Sequence, residues 1–178
     1  MKSMNVFNKE HMTRSQNDYT IYTDGGCIGN PGPGGYGVVI LCGKDRKELS
    51  GGYRLTTNNR MELMAAIVAL GETRENSTIT LYSDSRYLVD GMTKGWAESW
   101  RANKWRKSNK RKAINVDLWK ILLSLCDDRK VTFVWVEGHA GNKENERCDN
   151  LSIKAASQHG LPADAGYEGE NTRQSELF

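Results

Sequence analysis

The sequence predicts a single α/β domain in which one mixed sheet carries helices on both faces. Strand-like segments occur first as a run of three and then alternate with amphipathic stretches, in the order β-β-β-α-β-α-β-α. The period of the hydrophobic pattern changes from two to about 3.6 residues after Asn58, where the first helix is expected to begin. The 178 residues, 38% of them hydrophobic and 26% charged, suffice for one domain with a buried core.

Five segments rich in β-branched and aromatic residues are predicted to be strands. The loops between the first three are short, which favours an antiparallel meander. The predicted strands span residues 19–25, 36–42, 48–57, 78–83 and 131–136.

Helices are predicted where apolar residues recur at helical spacing. Thr57 or Asn58 can cap the first helix, and Gly71 lies near its end. Later helices are predicted at residues 85–94, 97–103, 116–126 and 142–158.

The chain divides into three regions by composition. Residues 1–18 are polar and are expected to form a disordered arm, residues 19–160 form the domain, and residues 161–178 form an acidic tail. No apolar run reaches the roughly 18 residues that a membrane span requires, and no secretory signal is visible. We therefore expect no association with a membrane. We also expect the chain to be a monomer.

The cysteine pattern argues against a zinc site and against a disulfide framework. No C-x-x-C pair occurs, and a chain of this size does not need a disulfide framework. Reduced thiols and a cytoplasmic location are therefore expected. The cysteines are Cys27, Cys42, Cys126 and Cys148.

One segment carries much of the positive charge. Residues 101–112 (RANKWRKSNKRK) contain seven basic side chains and no acid, whereas the rest of the chain is mildly acidic. Trp96, Trp100 and Trp105 lie in or beside this segment. Cations for phosphates and ring faces for sugars or bases are what nucleic-acid contact requires. A solvated helix face, with the tryptophans as core anchors, is the alternative interpretation.

Four carboxylates are candidates for a metal site. Asp24 and Asp84 each lie at the end of a predicted strand, and such strand ends meet at one edge if the strands are parallel neighbours. Glu62 lies in the first turn of the first helix beside small residues, and Asp149 lies within the last helix. Clustered carboxylates repel one another unless a hard cation such as Mg²⁺ binds them. Taken singly, each acid is more simply a cap or a solvated side chain.

His139 lies in the glycine-flanked loop V-E-G-H-A-G between the last strand and the last helix. A histidine in a mobile loop suits proton handling or product release. A structural or solvent-facing histidine is the simpler alternative.

Long ordered motifs carry a family resemblance over about residues 19–158. The motifs are TDGGCIGNPGPGGYG with Asp24, TTNNRMELMAAIVAL with Glu62, SDS with Asp84, and WVEGHAGNKENERCD with His139 and Asp149. Together they resemble bacterial type 1 ribonuclease H. The basic, tryptophan-rich segment near residues 96–114 resembles the basic protrusion of that family, formed here by Arg101, Lys104, Arg106, Lys107, Lys110, Arg111 and Lys112.

The resemblance implies a five-stranded mixed sheet of order 3-2-1-4-5. It implies an endonuclease that cleaves the RNA strand of RNA–DNA hybrids and leaves 5′-phosphate and 3′-hydroxyl ends. It also implies two Mg²⁺ ions per site when substrate is bound, with Mn²⁺ as an alternative. Asp24 would bridge both ions, Asp149 would bind the ion on the nucleophile side, and Glu62 and Asp84 would bind the other. His139 matches a loop histidine that assists product release.

The resemblance also assigns substrate contacts. Cys27, Asn30, Asn58 and Asn59 match contacts to the minor groove and to RNA 2′-hydroxyls, which distinguish RNA from DNA. Thr57 and Asn115 match a pocket for a DNA-strand phosphate, and Trp96 matches an aromatic that supports the DNA strand.

Three positions depart from the family pattern. Arg86 replaces a common Gln that contacts substrate, Leu55 replaces the usual Arg of the phosphate pocket, and Gly26 replaces a frequent Ser. Two other functions stay open at this point. A related DNA nuclease of the same superfold would cleave duplex DNA, and a catalytically silent module would bind hybrid without cleaving it.

Overall fold

The computed structural model describes residues 17–169, which form ten principal elements. In chain order these are β1 (Asp18–Cys27), β2 (Gly32–Cys42), β3 (Asp45–Thr56), α1 (Asn58–Gly71), β4 (Thr78–Ser83), α2 (Arg86–Thr93), α3 (Trp96–Ala102), α4 (Val116–Asp127), β5 (Lys130–Trp135) and α5 (Lys143–Ala156).

The strands form one five-stranded mixed sheet of order β3-β2-β1-β4-β5. The first three strands pair antiparallel, while β4 pairs parallel with both β1 and β5. The predicted fold class and strand order are therefore confirmed. Because β1 and β4 run in the same direction, their carboxyl ends lie side by side at one edge of the sheet.

Two glycines show that the sheet is covered on both faces. Gly25 lies against the backbone of α1 at Met61 and Glu62, so that a Cβ at this position would clash. Gly37 lies equally close to the backbone of α5 at Cys148. Since Gly37 pairs directly with Asp24, the residue before Gly25, the two glycines point to opposite faces. The sheet is thus held between α1 and α5.

The core fills the space between the sheet and the helices α1, α2 and α4. Trp119 of α4 is fully buried at its centre, and its indole N–H donates a 2.9 Å hydrogen bond to the hydroxyl of Tyr87. Trp100 packs edge-on against Trp119 with the ring centroids 5.8 Å apart. Trp105 is also packed against the core. Trp100 and Trp105 therefore act as core anchors, as the alternative interpretation expected for these two side chains.

The strand β3 begins three residues before its predicted start. Cys42 pairs with Asp45 across a tight turn that contains Gly43 at a φ of 59°. The polar residues that open β3 lack strand propensity, so pairing with β2 decides their conformation. The register between β2 and β3 shifts near Gly32, opposite Arg54 and Leu55.

The predicted boundaries at both ends of the domain differ from the structure. Asp18 belongs to β1 and not to the N-terminal arm, whose residues 1–16 lie outside the described residues. Residues 161–169 pack onto the domain and are not a separate tail, since Asp164 is 3% exposed and residues 165–169 are helical. The rest of the expected tail, residues 170–178, also lies outside the described part.

Candidate active site

Three carboxylates converge at the edge where β1 and β4 end. Asp24 lies in β1, Asp84 directly follows β4, and Glu62 lies in the first turns of α1. One oxygen from each side chain lies within 4.8 Å of the other two. The parallel pairing of Thr23 with Ser83 brings Asp24 and Asp84 to the same level of the sheet.

Glu62 reaches this cluster because Gly25 lets α1 contact the backbone of β1. Its carboxylate accepts a hydrogen bond from the Gly25 backbone N–H. Its Oε2 atom is buried and has no hydrogen-bond partner among residues 17–169. A buried carboxylate oxygen without a donor is costly unless another group binds it.

The pKa values of two carboxyl groups in the cluster, Asp24 and Glu62, are raised. Burial, together with the charges of Asp84 and Asp149, raises the pKa of Asp24 to about 6, although a hydrogen bond from Ser152 opposes the shift. Burial also raises the pKa of Glu62 well above its usual value, and the charges of Asp24 and Asp84 add to this effect.

Asp84 is fixed by contacts from three elements. The Asn145 side-chain amide of α5 donates to its Oδ2 at 3.3 Å. The indole N–H of Trp135, at the end of β5, donates to its backbone carbonyl at 3.0 Å. A Cβ on Gly138 would lie 2.6 Å from its Oδ2, so the loop after β5 also closes around it.

Asp149 lies beside the three converging acids and not among them. It lines a cavity of about 250 Å³ together with Asp24 and Ser152. The Nδ1 atom of His139 lies 4.0 Å from Asp149 Oδ2, and the His139 side chain is 78% exposed. The histidine therefore borders the acidic site from its solvent side.

Sequence reasoning did not identify three residues that hold the acids. Ser152 donates a 2.8 Å hydrogen bond to Asp24, and Asn145 and Trp135 contact Asp84. Asn145, Asp149 and Ser152 are spaced at i, i+4 and i+7, which places them on one face of α5. That spacing could have indicated that Asn145 and Ser152 face the acids together with Asp149. Nothing in the sequence near Trp135 indicates its contact with Asp84.

The donor set fits a hard divalent cation. All the converging ligand atoms are carboxylate oxygens, which Mg²⁺ prefers. A cation would supply the missing partner of Glu62 Oε2 and remove the repulsion between the acids.

The residues expected at the minor groove form a connected group next to the acids. Asn58 accepts a 2.8 Å hydrogen bond from the Cys27 backbone N–H, and its own N–H donates to Asn30 Oδ1 at 3.3 Å. Asn59 follows on the exposed surface at the start of α1.

Thr57 and Asn115 immediately precede α1 and α4, and both contact Arg60. The Thr57 side chain caps α1, and Asn115 precedes α4 with a φ of 58°. The Asn115 Nδ2 atom donates to the hydroxyl of Tyr87 at 3.4 Å, while its Oδ1 accepts from Arg60 at 3.5 Å.

The basic segment leaves α3 as an irregular loop closed by a bridge between Arg106 and Lys112. Trp96 is 41% exposed at the start of α3. Arg101 differs from the expectation, because its guanidinium forms ion pairs with Glu98 and Asp127. The other expected basic residues lie in the loop itself: Lys104, Arg106, Lys107, Lys110, Arg111 and Lys112.

Arg86 opens α2, two residues after Asp84, and is exposed. Its guanidinium carbon lies 3.5 Å from the ring centroid of Trp135.

None of the helices within residues 17–169 has the length and apolar character needed to cross a membrane.

Comparison with known proteins identifies the family. The family model for RNase H matches residues 16–157. The ribonuclease H of Trichodesmium erythraeum is 59% identical over 157 residues, which are 88% of this chain and 100% of that protein. The ribonuclease HI of Synechocystis is 55% identical over 88% of this chain and 98% of that protein.

Solved structures show the same relationship. LC9-RNase H1, described as a type 1 RNase H with the type 2 active-site motif, has a TM-score of 0.70 and 34% identity over 86% of this chain and 80% of its own. LC11-RNase H1, solved in complex with an RNA/DNA hybrid, has a TM-score of 0.58 and 26% identity over 78% of this chain and 96% of its own. Sequence and structure thus agree that this chain belongs to the RNase H family as a type 1 ribonuclease H.

Proposed function

We propose that this nuclease hydrolyses the RNA strand of RNA–DNA hybrids with two divalent cations and leaves 5′-phosphate and 3′-hydroxyl ends. The observation that carries the proposal is the convergence of Asp24, Glu62 and Asp84, with a buried Glu62 oxygen that has no partner among the described residues. Membership of the RNase H family and the hybrid bound by LC11-RNase H1 support the choice of substrate.

The four acids would bind the two cations in different combinations. Two Mg²⁺ or Mn²⁺ ions, when bound with substrate, would stabilise the charge on the attacking and leaving oxygens of an in-line displacement. Asp24 lies centrally, within reach of Asp84 and Asp149, and suits a ligand shared by both ions. Asp149 would hold the ion on the nucleophile side, and Glu62 and Asp84 would hold the other ion. Ser152 and Asn145 hold Asp24 and Asp84 in position.

His139 handles protons or assists product departure at the solvent side of the site. Its exposure and its 4.0 Å separation from Asp149 leave the imidazole free to approach either a water or a departing phosphate. It acts on the substrate and is not a metal ligand in this proposal.

The two strands of the hybrid contact different residues. Cys27, Asn30, Asn58 and Asn59 present backbone and amide groups beside the acids, where 2′-hydroxyl contact selects RNA. The DNA strand is then held by a phosphate contact at Thr57 and Asn115, by the exposed ring of Trp96 and by the basic loop. We infer a cytoplasmic monomer whose catalytic domain covers residues 19–160 and also includes Asp18 and the packed segment 161–169.

The test is cleavage of an end-labelled RNA–DNA hybrid by the full chain. Substrates are the hybrid, the RNA duplex and the DNA duplex of the same sequence, each with Mg²⁺, with Mn²⁺ or with chelator. The proposal predicts metal-dependent cleavage confined to the RNA of the hybrid, with 5′-phosphate ends. Cleavage of duplex DNA would favour a DNA nuclease, and metal-independent binding without any cleavage would favour a silent binding module.

A further inference from the structure

Arg86 is an exposed cation held at the edge of the active site. Its guanidinium lies 3.5 Å from the centre of the Trp135 ring, a cation–π contact that orders the side chain. No carboxylate or carbonyl within residues 17–169 accepts a hydrogen bond from this guanidinium, in contrast to the paired Arg101. The N–H groups at its edges are therefore available to a ligand.

Trp135 links Arg86 directly to the catalytic acids. The face of its ring supports the guanidinium, while its indole N–H donates to the backbone carbonyl of Asp84. Arg86 itself lies two residues after Asp84. Two connections therefore hold the guanidinium close to the acids: its stacking on Trp135 and its short separation from Asp84 along the chain.

We propose that Arg86 binds a non-scissile phosphate of the RNA strand on the β5 side of the acids, so that this enzyme has a charged contact where its family commonly has a neutral Gln. The inference rests on the proposed function, because the strand whose phosphodiester lies at the acids is the RNA strand. Cys27 and Asn58 line a cavity with Asp24 of β1, whereas Arg86 stacks on Trp135 of β5. Because β4 separates β1 from β5 in the sheet, the RNA would be held at two separate places along the cleavage site.

The chemistry of the side chain favours a phosphate over a base or sugar. A guanidinium presents a planar fork of donors and no acceptor, which matches two phosphate oxygens. Stacking on Trp135 leaves the edge of the fork accessible and lowers the entropy lost on binding. The contact exists equally in the bound and the reacting complex, so it contributes to KM more than to kcat.

The alternative role for Arg86 is structural packing on Trp135. Binding and stability measurements on the same variants separate the two roles. Arg86→Gln restores the common family residue, Arg86→Lys keeps the charge without the planar fork, and Arg74→Gln removes one exposed cation near the opposite end of β4 as a control.

The first experiment measures hybrid cleavage and thermal melting for the full chain and these three variants. We expect Arg86→Gln to raise KM roughly tenfold, the effect of removing one charge-assisted hydrogen bond, while kcat stays near wild type. The salt slope of binding should fall by about 0.9, the value expected for one neutralised phosphate. Arg86→Lys should retain most of the salt slope but bind the hybrid more weakly than wild type. Arg74→Gln should change neither KM nor slope.

The second experiment locates the phosphate. The wild-type chain and Arg86→Gln are each combined with Asp24→Asn, which keeps the hybrid intact, and binding is measured to hybrids carrying one neutral methylphosphonate at each RNA position in turn. We expect one non-scissile position at which the modification weakens binding of the arginine protein but leaves the Arg86→Gln protein unaffected. Such a coupled position would be direct support for the contact.

Two results would overturn the inference. One is a lower melting temperature for Arg86→Gln with unchanged affinity and salt slope, which would make Arg86 a packing residue. The other is an equal response of both proteins at every modified phosphate. Failure of the unmutated chain to cleave hybrid would instead overturn the proposed function, so the two failures are distinguishable.

Discussion

Arg60 of α1 and Asp164 of the C-terminal segment form a buried ion pair. The Nε atom of Arg60 lies 2.7 Å from Asp164 Oδ2, and the side chains are only 2% and 4% exposed. Asp117 binds the other side of the same guanidinium, and the hydroxyl of Thr56 donates to Asp164 at 2.7 Å. The C-terminal segment is thus fixed to the helix that carries Glu62.

The ion pair predicts that Asp164 is important for stability. Asp164→Ala should lower the free energy of unfolding by about 3–5 kcal/mol, because it leaves the buried Arg60 only partly compensated. Urea unfolding measures the loss. The matched control is Arg54→Gln, which breaks an exposed, solvent-screened pair with Glu168 and should change the free energy of unfolding little. Equal small effects of both changes would show that the segment 161–169 is dispensable.

The raised pKa values of the acids predict a pH dependence for the metal-free protein. The folded Asp24 binds a proton up to about pH 6, whereas an unfolded Asp releases it near its usual 3.8. Between these values the folded state binds more protons, so the free energy of unfolding should fall as pH rises. Glu62 adds to the same trend, because its pKa is also raised.

Unfolding in chelator between pH 4.5 and 7.5 tests this dependence. Asp24→Asn should flatten the profile and, near pH 7, should be more stable than wild type by on the order of 2–3 kcal/mol. Contacts with Arg147 and Arg46 lower the pKa of Glu48 to about 2. Protonation of Glu48 therefore reduces the free energy of unfolding mainly below this pH range. Parallel profiles for wild type and Asp24→Asn would show that burial and the neighbouring acids do not raise the pKa of Asp24 in the folded state.

His139→Ala should slow turnover without loss of metal binding. A proton-handling role is worth roughly 10²–10⁴-fold in rate, and a role limited to product release would cost less. Steady-state and single-turnover kinetics measure the effect, and calorimetric Mg²⁺ titration measures the metal affinity. His159→Ala, at an exposed position beyond α5, is the control. A loss of Mg²⁺ affinity as large as that of the acid variants would exclude the proposed role.

Neutralising the basic loop should weaken hybrid binding and reduce its salt dependence. Changing Lys104, Lys107, Lys110 and Arg111 to Gln should lower the salt slope by about 0.9 for each phosphate that the loop no longer neutralises. The control is Arg101→Gln, because Arg101 already pairs with Glu98 and Asp127. An unchanged slope in the loop variant would identify the loop as a solvated surface without a role in binding.

The sequence predicted those parts of the fold that depend on local pattern. Hydrophobic period and strand ends placed Asp24 and Asp84 at one edge, and the structure brings them together there. The position of Glu62 in the cluster depends in addition on the close packing of α1 against Gly25, and local pattern does not show that packing. The fold order 3-2-1-4-5 came from family resemblance and is confirmed.

Long-range ion pairs were not predictable from local pattern. Asp164 pairs with Arg60 across 104 positions, and nothing near residue 164 distinguishes it from the acidic residues of a solvated tail. Arg101 was expected to belong to the basic protrusion, but α4 places Asp127 beside it. In both cases the partner is supplied by the fold and not by neighbouring sequence.

The most direct test of the central claim compares wild type with Asp24→Asn on one labelled RNA–DNA hybrid in Mg²⁺. The account predicts that the variant binds hybrid with near-wild-type affinity, because it keeps the surrounding contacts, while cleavage of the RNA strand is nearly abolished through loss of the shared cation ligand. Near-wild-type turnover by Asp24→Asn would contradict the claim that these acids form the catalytic metal site.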